Sequence, residues 1–310
     1  MLGFTEWVAT VERRLRVSVK RVGLGLLVRL GCSVCDALSR VILLVGVAVP
    51  KSRQRVCLDS NVWQRLSRPW RSDAIATAPA LLRIRYLLAR QRIEAVVCED
   101  MFTWESIPRD QRYTYFCEAL SASHSRRLSA TVAPVVPAIP PELLYDLSVL
   151  QSYRGKVLRS GRIGGPLTEI LVVKRLLLGY TSDAEFHRRN DQRGDYGRQL
   201  EQAGFGIAPL KAICSAYLKV GAPWVSGLAK LSAQEIDLFP DLVAELADAD
   251  SLASAAANDC SMFVTFDAGK GARKKGIDSV LASRGRAVVK RISPMRVVSP
   301  VELLTYLSTL

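Results

Sequence analysis

The sequence predicts an α/β fold: a mostly parallel sheet with helices packed on both faces. Three observations carry that expectation. From Arg55 onward, short apolar runs alternate with segments of helical period, the order that builds parallel strands joined by crossover helices. Two of those runs, in "RVCLD" and "MFVTFD", lead straight into an aspartate, Asp59 and Asp267. The runs are also continuously apolar rather than alternating, as in strands buried on both faces.

Taken in order, "RVCL" is the first strand, and a helix follows from about Asn61. Residues 78–93 place Leu81, Leu82, Ile84, Leu87 and Leu88 at helical spacing, with four arginines among them. "EAVVCED" is a short strand ending in acid, and "MFTWESI" opens another helix. The Pro-rich "APVVPAIPPELL" (133–144) reads as an edge strand or linker that delivers the chain to a helix near Glu142, because Pro is excluded from helix interiors and central strands. Residues from about 142 to 240 are mostly helical in character and read as a helical insertion; "EILVVKRLLLGY" within them fits a helix or a buried strand. "GRIGG" (161–165) lacks the Lys-Ser/Thr ending and the preceding strand of a phosphate loop, and reads as a flexible turn. "LADADSLASAAANDC" (246–260) is an Ala-rich helix, "MFVTFD" a strand, "AGKGARKKG" a basic loop, and "RVVSPVELL" a last strand, a turn and a closing helix.

The first 54 residues differ from the rest. Through Arg55 they hold ten Lys or Arg against three acidic residues, half of the chain's net charge of +14. Neither of their apolar runs reaches the roughly 18 uninterrupted residues of a spanning helix. They read as a basic amphipathic extension, packed on the body or lying on a membrane or nucleic acid. The sequence thus divides into this extension (1–54) and an α/β domain (55–310) carrying the insertion.

With a pI near 9.7, the chain is expected to meet a polyanion, nucleic acid above all. Its seven cysteines, an odd number without a framework of spacings, argue for reduced thiols and a cytoplasmic setting. Cys32 and Cys35 form a lone CxxC without the second pair or the spaced histidines of a zinc site. The only two histidines, His124 and His187, are far apart, which disfavours Ser-His-Asp and Cys-His centres.

Parallel strands deliver their carboxyl ends to one edge, so Asp59 and Asp267 share that edge despite their separation in sequence. The helix before "MFVTF" runs antiparallel to the strand, which brings its expected N-terminus, with Asp248 and Asp250, to the same edge; Asp250 is preferred and Asp248 is a close second. Asp259 falls about 13 Å farther along, near the opposite edge. Glu99, Asp100 and Glu105 belong to the strand end and helix that leave the acidic edge. Each aspartate also suits a helix cap, and only their joint placement points beyond capping. Four carboxylates without a histidine would repel one another unless a cation held them, and hard divalent ions such as Mg²⁺ and Mn²⁺ take oxygen ligands.

"VCLDSNVW", "MFTWESI" and "DADSLASAAANDCSMFVTFD" followed by "RVVSPVELL" resemble the PIN domain nucleases. The resemblance covers the two ends of residues 55–304, with the middle poorly matched and the span from Asp59 to Asp267 longer than in compact members. It implies Asp59, Glu105, Asp250 and Asp267 as catalytic metal ligands, with Asn61, Thr265 and Asp248 in support. It also implies Mg²⁺ or Mn²⁺ as cofactor and hydrolysis of RNA phosphodiester bonds, as in toxins neutralised by a cognate antitoxin. The basic loop would then place Lys270, Arg273, Lys274 and Lys275 near the scissile phosphate, and Trp63 or Trp104 would be available to stack on a base. A haloacid dehalogenase-like phosphohydrolase needs a second Asp where Asn61 stands. A noncatalytic RNA-binding module is the alternative, and self-association and membrane contact of the extension are left open.

Overall fold

The computed structural model describes residues 54–69, 77–127, 140–159, 177–273 and 276–309. The expected N-terminal extension, "GRIGG", most of "EILVVKRLLLGY", Lys274 and Lys275 therefore lie outside the described residues. Five strands form one sheet: β1 (Gln54–Leu58), β2 (Ile93–Cys98), β3 (Lys156–Leu158), β4 (Met262–Val264) and β5 (Arg296–Val298). Their order is β3-β2-β1-β4-β5 and every pairing is parallel. The chain builds outward from β1 in one direction, then returns to its other side. β1 and β4 therefore flank the switch point, where open parallel sheets form a crevice beyond their carboxyl ends.

Side chains alternate across the sheet and each face is covered. Val56, Leu58, Ala95, Val97, Met262 and Val264 pack under α1 (Ser60–Ser67), α2 (Ala78–Ala89), α5 (Pro141–Ser152) and α11 (Pro300–Ser308). Cys57, Val96, Cys98 and Phe263 point the other way, under α6 (Asp183–Gln202), α8 (Ala233–Ala257) and α10 (Ser283–Ile292). Both faces bury β-branched and aliphatic side chains, which is why the strands read as unbroken apolar runs.

A third core lies beyond the sheet. Trp104 of α3 (Glu99–Glu105), Tyr115 and Phe116 of α4 (Arg112–Arg127), Leu210 of α7 (Ala208–Ser215) and Phe239, Leu242 and Leu246 of α8 form a helical cap. One helix, α8, serves both layers, and its 25 residues reach about 37 Å.

Three expectations need correction. The segment read as a helical insertion contains β3, whose three residues extend the sheet beside β2. The Ala-rich helix starts at Ala233, not at Leu246. Ser232 caps it, and Glu235 returns the bond to complete a capping box. Pro240, which ordinarily marks a boundary, is buried inside it. Finally, β4 stops at Val264, so Thr265, Phe266 and Asp267 form a turn beyond the strand. Among the described residues no helix is long and apolar enough to cross a membrane.

Candidate functional site

Asp59 is the first residue past β1 and the N-cap of α1. Its side chain accepts from the Ser60 backbone N–H at 2.7 Å, from Asn61 Nδ2 at 2.6 Å and from Thr265 Oγ1 at 2.5 Å. Capping therefore accounts for only one of its bonds; the other two tie it to the polar residues predicted to support it. Asn61 reaches across to the β4 turn, where its Oδ1 accepts from the Phe266 N–H at 3.1 Å. Thr265 Oγ1 also accepts from the Asp267 N–H at 2.9 Å, so one hydroxyl orients both aspartates of the edge. Asp267 is exposed and turns back to accept from the Gly269 N–H at 2.7 Å. Gly269 has φ +70°, and a Cβ there would lie 2.8 Å from Ser279 and Ala282 side-chain atoms, so the turn requires glycine.

Around this pair the structure gathers more acid. Glu105, the last residue of α3, accepts a short hydrogen bond from Gln64 Nε2 on α1. Burial pushes its carboxyl up to about 7, and the charges of Asp59 and Asp146 act in the same direction. Arg112 is a cation in the field of Glu105. Burial likewise raises Asp59 to about 6, with Asp267 adding to the rise while Thr265, Ser60 and Asn61 oppose it.

On α8, Asp248 lies in the field of the acidic edge. The Asp248 carboxyl is held well above its usual range, by burial first and then by Asp59, Glu245 and Asp267. Asp250 lies two residues on, roughly 200° around the helix at 3.6 residues per turn. It is buried on α8, mid-helix rather than at an N-terminus.

Glu245 was not among the predicted residues. It sits one turn before Asp248, and a helix begun at Leu246 leaves it out. The only sequence signal was the spacing E-x-x-D in "ELAD". Its Oε2 accepts from the Val280 N–H at 3.1 Å, and burial raises its carboxyl to about 7.

Other predicted residues stand elsewhere. Glu99 and Asp100 occupy the first turn of α3, where negative charge suits the helix dipole, and both are buried. Asp259 adopts φ 55° past the end of α8 and pairs with Arg189, as a helix-end residue. Trp63 and Trp104 are core residues, not platforms for a base: Trp63 is fully buried with its Nε1 donating to the Asp146 carbonyl, and Trp104 packs edge-on to Tyr115. Of the basic loop, Lys270 and Arg273 bound a one-turn helix, α9 (Lys270–Arg273), and Lys270 is exposed.

The donor chemistry suits a hard divalent ion: carboxylate oxygens only, mutually repelling, with the Asp248 carboxylate making no hydrogen bond among the described residues. No group of three or more His, Cys, Asp or Glu side chains that could hold a metal ion is formed among the described residues. The acids thus share one field without closing on a point. Comparison with known proteins found no matching family model, curated protein or solved structure.

Proposed function

We propose that this carboxylate edge is a divalent-metal site that hydrolyses RNA phosphodiester bonds. The observation that carries the reading is Asp248, a carboxylate that makes no hydrogen bond among the described residues and lies in the field of three more carboxylates, Asp59, Glu245 and Asp267. Such a cluster is costly without a cation. Its position outside the carboxyl ends of β1 and β4 is where parallel α/β sheets bind ligands. The exposed Lys270, three residues after Asp267, and the overall net charge of +14 favour a polyanionic substrate. The resemblance to PIN domain nucleases supports RNA as that substrate.

Asp59, Asp248 and Asp267 would hold Mg²⁺ or Mn²⁺, with Glu105 and Glu245 at the margins of the same field. When bound, the ion supplies a lowered pKa for an attacking water and neutralises charge on the phosphate. Asn61 and Thr265 fix the Asp59 carboxylate before any substrate arrives, so less reorganisation is needed at the moment of reaction. Asp267, exposed at the mouth, is the carboxylate a phosphate backbone would meet first.

The test is incubation of labelled single-stranded RNA, structured RNA and DNA with the protein in Mn²⁺, Mg²⁺ or EDTA, beside an Asp59→Asn, Asp267→Asn double variant. Metal-dependent RNA cleavage that the variant loses is the expected result. RNA that is retarded but intact under every condition overturns the hydrolytic reading. It would support the second reading, a noncatalytic RNA-binding module on the same fold, which the net charge of +14 also suits. The toxin assignment rests on the resemblance alone, and a small protein that suppresses cleavage stoichiometrically is its test.

A further inference from the structure

We propose that the exposed face of α10 is a track for the phosphate backbone of single-stranded RNA, running from the acidic edge down the flank of the sheet. The choice of RNA rests on the functional reading above; the track itself rests on how α10 is built and held.

The sequence of α10, "SRGRAVVKRI", has four cations and no acid. Val288 and Val289 are buried against the sheet, leaving Arg284, Lys290 and Arg291 exposed on the outer side. These cations differ in how far they are already committed. Arg284 pairs with Asp278 and donates to the Ala203 carbonyl at 3.1 Å. The side chains of Lys290 and Arg291, like that of Lys270, make no ion pair and no hydrogen bond among the described residues. Unpaired cations are the ones that gain most from meeting phosphate, because each contact releases counterions without first breaking a bond within the protein.

The helix is also fixed relative to the acidic edge. Arg286 donates from Nη2 to the Asp267 carbonyl at 2.7 Å and from Nε to the Leu281 carbonyl at 2.6 Å. A Cβ on Gly285 would lie 2.3 Å from the Val280 carbonyl oxygen, so the first turn of α10 sits directly on the segment that Glu245 also holds. From Arg286, beside Asp267, the helix leads away between β4 and β5. Lys290 and Arg291 lie about 6 to 8 Å farther along at 1.5 Å per residue. Arg296, exposed at the start of β5, stacks 5.1 Å over the Tyr306 ring of α11, on the other face of the sheet, and stands outside the track. A strand whose phosphates follow Lys290 and Arg291 would enter the crevice at Asp267.

The experiment measures binding of a labelled single-stranded RNA in EDTA, where cleavage is suppressed, across a salt series. It compares the full chain with a Lys290→Ala, Arg291→Ala variant and with an Arg188→Ala, Lys219→Ala variant that removes equal charge from exposed positions elsewhere. The α10 variant is expected to bind more weakly and to lose about 1.4 from the slope of log affinity against log salt, roughly 0.7 per phosphate contact; the control pair should keep the wild-type slope. An unchanged slope for the α10 pair, or an equal loss in the control pair, overturns the track. So does binding loss confined to phosphatidylserine vesicles, which would make the face a membrane contact. Thermal midpoints of both variants are compared with wild type, and Lys290→Gln, Arg291→Gln repeats the measurement if the alanine pair unfolds early. Cleavage in Mn²⁺ is scored separately: a lost slope without any cleavage keeps the track and overturns hydrolysis, whereas cleavage with an unchanged slope does the reverse.

Discussion

Asp248 and Asp250, two residues apart, were close alternatives in the sequence and point in directions roughly 200° apart on α8. Asp248→Asn should abolish Mn²⁺-dependent cleavage, whereas Asp250→Asn should retain most of it; equal loss in both would contradict the placement. The raised carboxyls give a second prediction at this scale. Glu105 and Glu245, ordinarily near 4.5, are pushed to about 7, so the fold favours their protonated forms. That advantage is complete below about pH 4, declines as pH rises and is gone above about 7. Metal-free protein should therefore resist heat better at pH 5 than at pH 8. Glu105→Gln should stabilise it at pH 8 by about 1 to 3 kcal/mol while changing little at pH 4. Added Mn²⁺ should raise the unfolding midpoint more at pH 8 than at pH 5, since a metal needs its ligands ionised. Unfolding in EDTA at both pH values, with and without the ion, checks the set.

At the scale of elements, Gly285 is the tightest joint between α10 and the site. Gly285→Ala forces a methyl against the Val280 carbonyl and should cost about 1 to 3 kcal/mol, measured by urea unfolding, with Val288 and Val289 still buried. An unchanged midpoint would mean that the joint is loose. The same scale shows what the sequence could and could not disclose. β1, β2, β4 and β5 were legible because each carries a short run of apolar residues, such as VCL, AVVC, MFV and VV, beside a polar residue. Asp59 and Asp267 were legible with them, because they follow from which end of a parallel strand they occupy. β3 was not: three residues, "KVL", carry no period, and their strand character comes from pairing with β2. The start of α8 was misread because Pro240 imitates a boundary, although "SAQE" before it is a capping-box signature. That error hid Glu245 and rested the preference for Asp250 on a helix start that lies instead at Ala233. Trp63 and Trp104 were ambiguous because an aromatic on a helix beside the acidic edge suits either a core or a base, and only packing decides.

For the whole molecule, the cap and one face of the sheet are joined through α8, so damage to the cap should reach the sheet. Phe239 is fully buried, with Tyr113 and Phe116 edge-on at 5.1 and 5.3 Å. Phe239→Ala should cost about 3 to 5 kcal/mol. Fluorescence and far-ultraviolet circular dichroism should still report a single coincident transition. Two separated transitions would show that cap and sheet unfold independently. The excess of positive charge is a property of the same scale: it speaks to association and its salt dependence, not to the fold.

The shared helix has a further consequence. A helix is a screw, and α8 threads the cap and the acidic edge on one shaft. Inserting a single residue between Phe239 and Glu245 would turn everything before it by about 100° relative to Asp248 and advance it by about 1.5 Å. The same insertion in a surface loop could be absorbed locally. The spacing of residues 239–248 is thus counted rather than approximate, and length variation in this fold should fall in the connecting loops and spare α8.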